Sequence, residues 1–209
     1  EGIALFFIVR KFQFYEVGPH KMRGPTSMVL WAFVASAVVQ SVLAIAQFFT
    51  QSVFVWPFSG IAAQDPSDLG VSVVQFGEER WLRAYGSFPH PNMLGAFLAI
   101  ALVVITPFIP LIVRGKKWRY LLLSTYCLLL TGLFFTFSRA AWIAAALGTV
   151  YWILKTRAWR ERIVRQTGLL LSTYCLLLVV IFFPLVRTRV GGGSRLEIQS
   201  NQERIVGYR

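Results

Sequence analysis

The sequence predicts an all-α, polytopic transmembrane helix bundle of about five full spanning helices, with part of a sixth and loops on the outer face. Three observations carry that prediction. Apolar residues make up 56% of the 209 and charged ones 14%, with a mean hydropathy of +0.60, a balance foreign to soluble domains. Five stretches, roughly 27–50, 92–113, 120–137, 140–154 and 168–186, meet or approach the run of about 20 apolar residues that crosses a bilayer core. Lys and Arg also alternate between loops, which fixes an orientation.

Along the chain, Gly2–Val9 reads as the tail of a helix ending at Arg10 and Lys11. It lacks the basic start of a signal peptide. The first full span, 27–50, leads into an outer loop, 51–91. There Phe54–Phe58, with Trp56 and Pro57, leaves the membrane interface, and Val71–Phe76 alternates as a short strand or interfacial segment. Pro89 and Pro91 stop local structure, and Asn92 is placed to cap the next helix. Trp118 and Tyr120 anchor the inner side of the third span, and Thr136–Trp142 makes a tight reversal into the fourth. A large external loop begins at 187–209. The whole chain, 1–209, reads as a single membrane domain and an internal fragment of a larger polytopic protein.

Residues 10–25 and 114–119 carry four Lys or Arg each, and 155–165 carry five. The alternating loops carry eight in total, which puts the first three segments in the cytoplasm. Topology thus accounts for most of the +12 charge, and no nucleic-acid partner is implied. Cys127 and Cys175 lie mid-helix and form no disulfide framework or metal spacing. Neither a metal nor a cofactor is expected. The decapeptide LLLSTYCLLL occurs at Leu121–Leu130 and again at Leu169–Leu178. Its flanks do not repeat, so no function is drawn from it.

The eight basic residues left outside violate the usual asymmetry, with Arg187, Arg189, Arg195, Arg204 and Arg209 together after the last span. An outer face of this kind suits an anionic ligand. Arg83, Gly86, His90 and Asn92 form one candidate group, in which a helix N-terminus supplies N–H groups to an anion. The same residues also suit an ordinary loop-to-helix entry. Ser138 and Arg139 form a second group, whose guanidinium either grips phosphate bidentately or snorkels to the surface. Arg187, Arg189, Arg195, Glu203 and Arg204 form a third, joined through the flexible Gly191–Gly193. His90 is the one external imidazole and a candidate base or donor.

Together these residues resemble the O-antigen ligase and polymerase superfamily of bacterial membrane glycosyltransferases. The resemblance rests on Arg83, Gly86, Ser87, Phe88, Pro91 and Asn92; on Ser138, Arg139 and Ala140; and on Ser194, Arg195, Glu197, Glu203, Arg204 and Tyr208. It covers about residues 26–209. It implies transfer of a glycan from an undecaprenyl-diphosphate carrier to an acceptor lipid or glycan, without metal or nucleotide sugar. The setting implied is the periplasmic or extracellular face of a bacterial inner membrane. Arg83, Arg139 and Arg195 would then contact the diphosphate, supported by Arg187, Arg189 and Arg204. Gly86, His90, Asn92, Ser138 and Glu203 would complete the site. The family's catalytic histidine falls beyond Arg209 and is not His90 by position, so the catalytic base is unknown and the 209-residue piece alone is expected to be inactive. Ligase and polymerase are not separated by these residues. A lipid-linked sugar transporter or flippase is the alternative from another class.

Overall fold

The computed structural model describes residues 25–53, 63–68, 70–76, 79–109 and 116–191. The elements in order are α1 (Pro25–Thr50), β1 (Val73–Phe76), β2 (Glu79–Leu82), α2 (Pro91–Ile105), α3 (Lys116–Phe135) and α4 (Arg139–Lys155). A 3₁₀ turn (Ala158–Arg160), α5 (Arg162–Ile181) and α6 (Phe183–Gly191) come after them. The chain is mainly helical. Met28–Thr50, Pro91–Ile109 and Arg162–Ile181 are long and apolar enough to cross a membrane, and Tyr120–Phe135 is apolar but shorter. Packing divides the chain into Glu1–Ser36 and Ala37–Arg209. The described part of the first unit is the opening of α1, and every other element belongs to the second.

Several boundaries depart from the sequence expectation. The fold is not purely helical: β1 pairs antiparallel with β2, Val73 opposite Leu82 and Phe76 opposite Glu79. α5 starts at Arg162 rather than near 168, because Arg162 and Arg165 lower local hydropathy without opposing helix formation. It stops at Ile181, one residue before Phe182 and two before the Phe183-Pro184 pair, a dipeptide that disfavours continuation. Arg187 and Arg189, expected in a loop, lie on α6. Gly2–Val9 and Phe54–Phe58 lie outside the described residues.

Side-chain contacts give the helix directions. Gly95 faces Ser138 and Ala141 while Gly148 faces Val103, so α2 and α4 run parallel. Thr131 meets Tyr174, and Phe134 and Phe135 meet Phe182, so α3 and α5 run together. Thr106 on the turn after α2 bonds Tyr126 in α3, while Gly95 near the start of α2 faces Thr136 just past the end of α3, so α3 runs antiparallel to α2. Small residues permit the close approaches, as in membrane helix packing. A Cβ on Gly132 would sit 2.9 Å from the Ser41 Cα, and one on Gly95 would sit 3.0 Å from the Ala141 Cβ.

The repeated decapeptide has a structural use. Tyr126, in the first copy, lies 3.1 Å from the Thr106 hydroxyl, and Tyr174, at the same position of the second copy, bonds Thr131. Each threonine donates to the carbonyl four residues back, Leu102 or Cys127. Its oxygen is thereby left to accept the tyrosine hydroxyl. One hydroxyl pair therefore joins the first copy to the end of α2, and an equivalent pair joins the second copy to α3.

Two outcomes are expected from unfolding titrations of the purified protein in mixed micelles. Gly132→Ala costs about 1–3 kcal/mol, because backbone opposes the new methyl group. Tyr174→Phe costs about 0.6 kcal/mol, the usual size of an interhelical hydrogen bond.

Candidate functional site

The site is built around the turn Thr136-Phe137-Ser138, where α3 hands over to α4. Phe137 has φ +46°, a conformation that costs a bulky residue about 1–3 kcal/mol and persists where the surroundings enforce it. Here they do. The Phe137 ring is fully buried, 5.6 Å from Phe134 and 5.9 Å from Phe48 between centroids. Phe48 also stacks on Phe135 at 4.0 Å, and Phe134 stacks on Trp142.

Helix ends leave carbonyls without intrahelical partners. At the end of α3 each of five successive carbonyls has found one. Leu133 O accepts from Thr136 and from the Trp142 indole, and Phe134 O accepts from the Phe137 amide. The Ala84 amide reaches Phe135 O at 3.0 Å. The Arg83 Nε donates to Thr136 O at 2.7 Å, and the Arg189 Nε donates to Phe137 O at 3.1 Å. Arg139 completes the knot by donating to the Arg189 carbonyl at 3.2 Å.

Three of the six arginines expected at a diphosphate thus converge on one turn, although they come from separate parts of the chain. They are not equivalent. Arg83 is buried, and its Nη2 also donates to Asn92 Oδ1 at 2.6 Å. The first and second candidate groups are therefore one hydrogen-bonded unit. Arg139 and Arg187 are exposed and Arg189 half-buried. Ser138 is buried at the head of α4, its amide 3.3 Å from the Thr136 hydroxyl. Arg195, Glu203 and Arg204 lie outside the described residues.

The entry to α2 differs from expectation. Asn92 does not cap it. Pro91 takes the first helical position, where its missing N–H costs nothing and its φ is already helical, so the cap moves back to His90. The His90 Nδ1 accepts the Asn92 amide at 3.1 Å, and its carbonyl accepts from Met93 and Leu94. These N–H groups are engaged by the cap and are not open to an anion. With Nδ1 accepting, Nε2 carries the proton and donates to the Ser72 hydroxyl at 3.2 Å, which ties the helix start to the hairpin. Tyr85 OH accepts the Ser72 amide at 2.7 Å.

Sequence reasoning missed the residues that hold the other side of this loop. Gln47, buried in α1, accepts from the Tyr85 and Gly86 amides and donates to Gly86 O at 2.8 Å. Gln40 accepts the Ser87 amide and donates to its hydroxyl. Gln51 accepts the Leu82 amide. The signal was present: Gln40 and Gln47, seven residues apart, fall on one face of an otherwise apolar helix, and Gln51 follows just past its end. Gly86 is required where it stands, with φ +58° and a virtual Cβ 2.6 Å from the Gln40 Oε1.

Chemically, the arrangement offers the exposed Arg139 guanidinium beside the turn with the half-buried Arg189 joined to it, groups suited to oxygen anions. Among the described residues no cluster of His, Cys, Asp and Glu could hold a metal ion. No family model, curated protein or solved structure matches the chain.

Gln47→Leu strands two amides, and the expected cost is roughly 2–5 kcal/mol; Gln47→Glu, which keeps the acceptor, is expected to recover most of it. His90→Ala should cost about 1 kcal/mol, as for other lost N-caps, with His90→Asn closer to wild type. Equilibrium unfolding of the four variants beside the parent measures both effects.

Proposed function

We propose that this chain belongs to a membrane glycosyltransferase of the O-antigen ligase or polymerase type. The enzyme transfers a glycan from an undecaprenyl-diphosphate carrier to an acceptor lipid or glycan. One observation carries this reading. Arg83 joins Asn92 to Thr136, so two motifs far apart in sequence meet beside the exposed Arg139. In this reading about five helices span a bacterial inner membrane, and the 136–138 turn opens on its periplasmic or extracellular side. Localisation and topology rest on the loop charges, and the transfer chemistry rests on the motif resemblance.

Charge builds on the diphosphate as the glycosidic bond breaks, and preorganised cations stabilise it. Arg139, exposed at the site, meets the phosphate oxygens with Arg189 beside it, and Arg187, exposed on α6, adds a further cation. Arg83 acts from behind, fixing the turn that carries Arg139. Arg195 and Arg204, with Glu203, join from the next segment of the chain. The acceptor hydroxyl attacks the anomeric carbon and the carrier leaves as its diphosphate. His90 serves to position α2, because both its ring nitrogens are engaged.

The test uses the intact gene, deleted and then complemented with wild type, Arg139→Ala or Arg139→Lys, with carrier-linked and surface glycan resolved on gels. Arg139→Ala is expected to lower transfer about 100-fold or more, as for other lost transition-state donors. Arg139→Lys should recover little of that loss, since an ammonium cannot grip bidentately. Long chains stranded on the carrier indicate a ligase, and single units indicate a polymerase. Full complementation by Arg139→Ala, or unchanged glycan pools after deletion, would defeat the proposal and favour a transporter.

A further inference from the structure

At the opposite end of the bundle, α4 and α5 are joined by a short segment, 156–161, that does not behave as a plain connector. Lys155, Arg157, Arg160, Arg162 and Arg165 are all exposed there, against a single acid, Glu161. We infer that this connection is a binding site for the headgroups of anionic phospholipids.

The segment is ordered by its own backbone. The Thr156 and Arg157 amides bond back to Trp152 and Leu154, Arg160 and Glu161 bond to Arg157 and Ala158, and Arg165 bonds to Glu161. Ala158 is tucked in, which leaves Trp159 and Arg160 facing out. Arg157 holds a left-handed conformation at φ +55°, an uncommon state for a residue of its size. Two cations stand over exposed rings: Lys155 lies 5.5 Å from the Tyr151 centroid, and Arg160 lies 5.4 Å from the Trp159 centroid.

Trp and Tyr favour the headgroup level of a bilayer, and a cation held against each ring is placed at that same level. Beside them Leu154, Leu169 and Leu170 are exposed apolar surface, suited to acyl chains. Guanidinium groups add paired donors for phosphate oxygens. Topology alone asks only for positive charge in this loop. It does not ask for an ordered turn or for cations docked on rings. This inference needs α5 to cross a membrane, and it stands apart from the transfer reaction.

The test is retention of lipid. The full-length protein is extracted from vesicles of phosphatidylcholine mixed equally with phosphatidylglycerol, and its bound lipid is weighed by native mass spectrometry. Wild type should keep phosphatidylglycerol several-fold over phosphatidylcholine, and R157Q/R160Q/R162Q should fall to the bulk ratio. W159A should lose part of the preference with no change in charge. On wild type alone, raising the salt should erase the preference, since exposed charges are screened. A preference absent from wild type, kept by the triple variant, or indifferent to salt overturns the site. So does wild type that takes up an acidic peptide while ignoring both lipids.

Discussion

The end of α3 is the constraint on which the rest of this structure depends. A helix that stops among apolar neighbours presents carbonyls that no water can satisfy, each costing several kcal/mol if left alone. From Leu133 to Phe137 every one is answered, and the answers come from the turn itself, from the residues just past β2, from α4 and from α6. Arg83 and Arg189 are thus helix caps before they are anything else. Capping draws three distant segments to one point, and the exposed Arg139 is delivered there as a by-product of closing a helix.

This arrangement also explains how a bulky residue is kept at a strained dihedral. Phe137 sits in a cluster of rings drawn from α1, α3 and α4, and burial of that much aromatic surface outweighs about 1–3 kcal/mol of backbone strain. On the far side of the loop Gln40 and Gln47 of α1, with Gln51 just past its end, read mainly backbone. They accept main-chain amides at 82, 85, 86 and 87, and the Ser87 hydroxyl is their side-chain partner there. The loop is therefore fixed in path whatever its outward side chains are. The site is held by polar groups in an apolar frame, where each hydrogen bond is stronger and each vacancy more costly than in water.

Much of the frame was legible beforehand. Apolar runs located the helices, alternation located the strand at 73–76, and the arginine motifs located the turn at 136–138. Each is a local pattern with its own period or composition. The rest depended on partners distant in the chain. Nothing near Gln47 says that it serves Gly86, and nothing near Arg83 says that it bonds Thr136. Asn is the commoner capping residue, so local pattern points to Asn92, whereas Pro91 fixes the first helical position and puts the cap at His90. A hydropathy window ends at arginines, whereas a helix does not, so α5 begins at Arg162 and not near 168.

The decapeptide shared by α3 and α5 has a consequence for how the chain is made. Insertion machinery judges a segment by its apolarity and by the charges at its flanks, and these two segments give it the same ten residues. Lys116, Lys117 and Arg119 precede one copy, while Arg162 and Arg165 precede the other. In the topology proposed above, the shared apolar signal and the basic residues that precede each copy thread both segments in the same sense. On that reading the parallel course of α3 and α5 is set during insertion, before any tertiary contact exists, and the Tyr174–Thr131 pair joins helices that already point the same way.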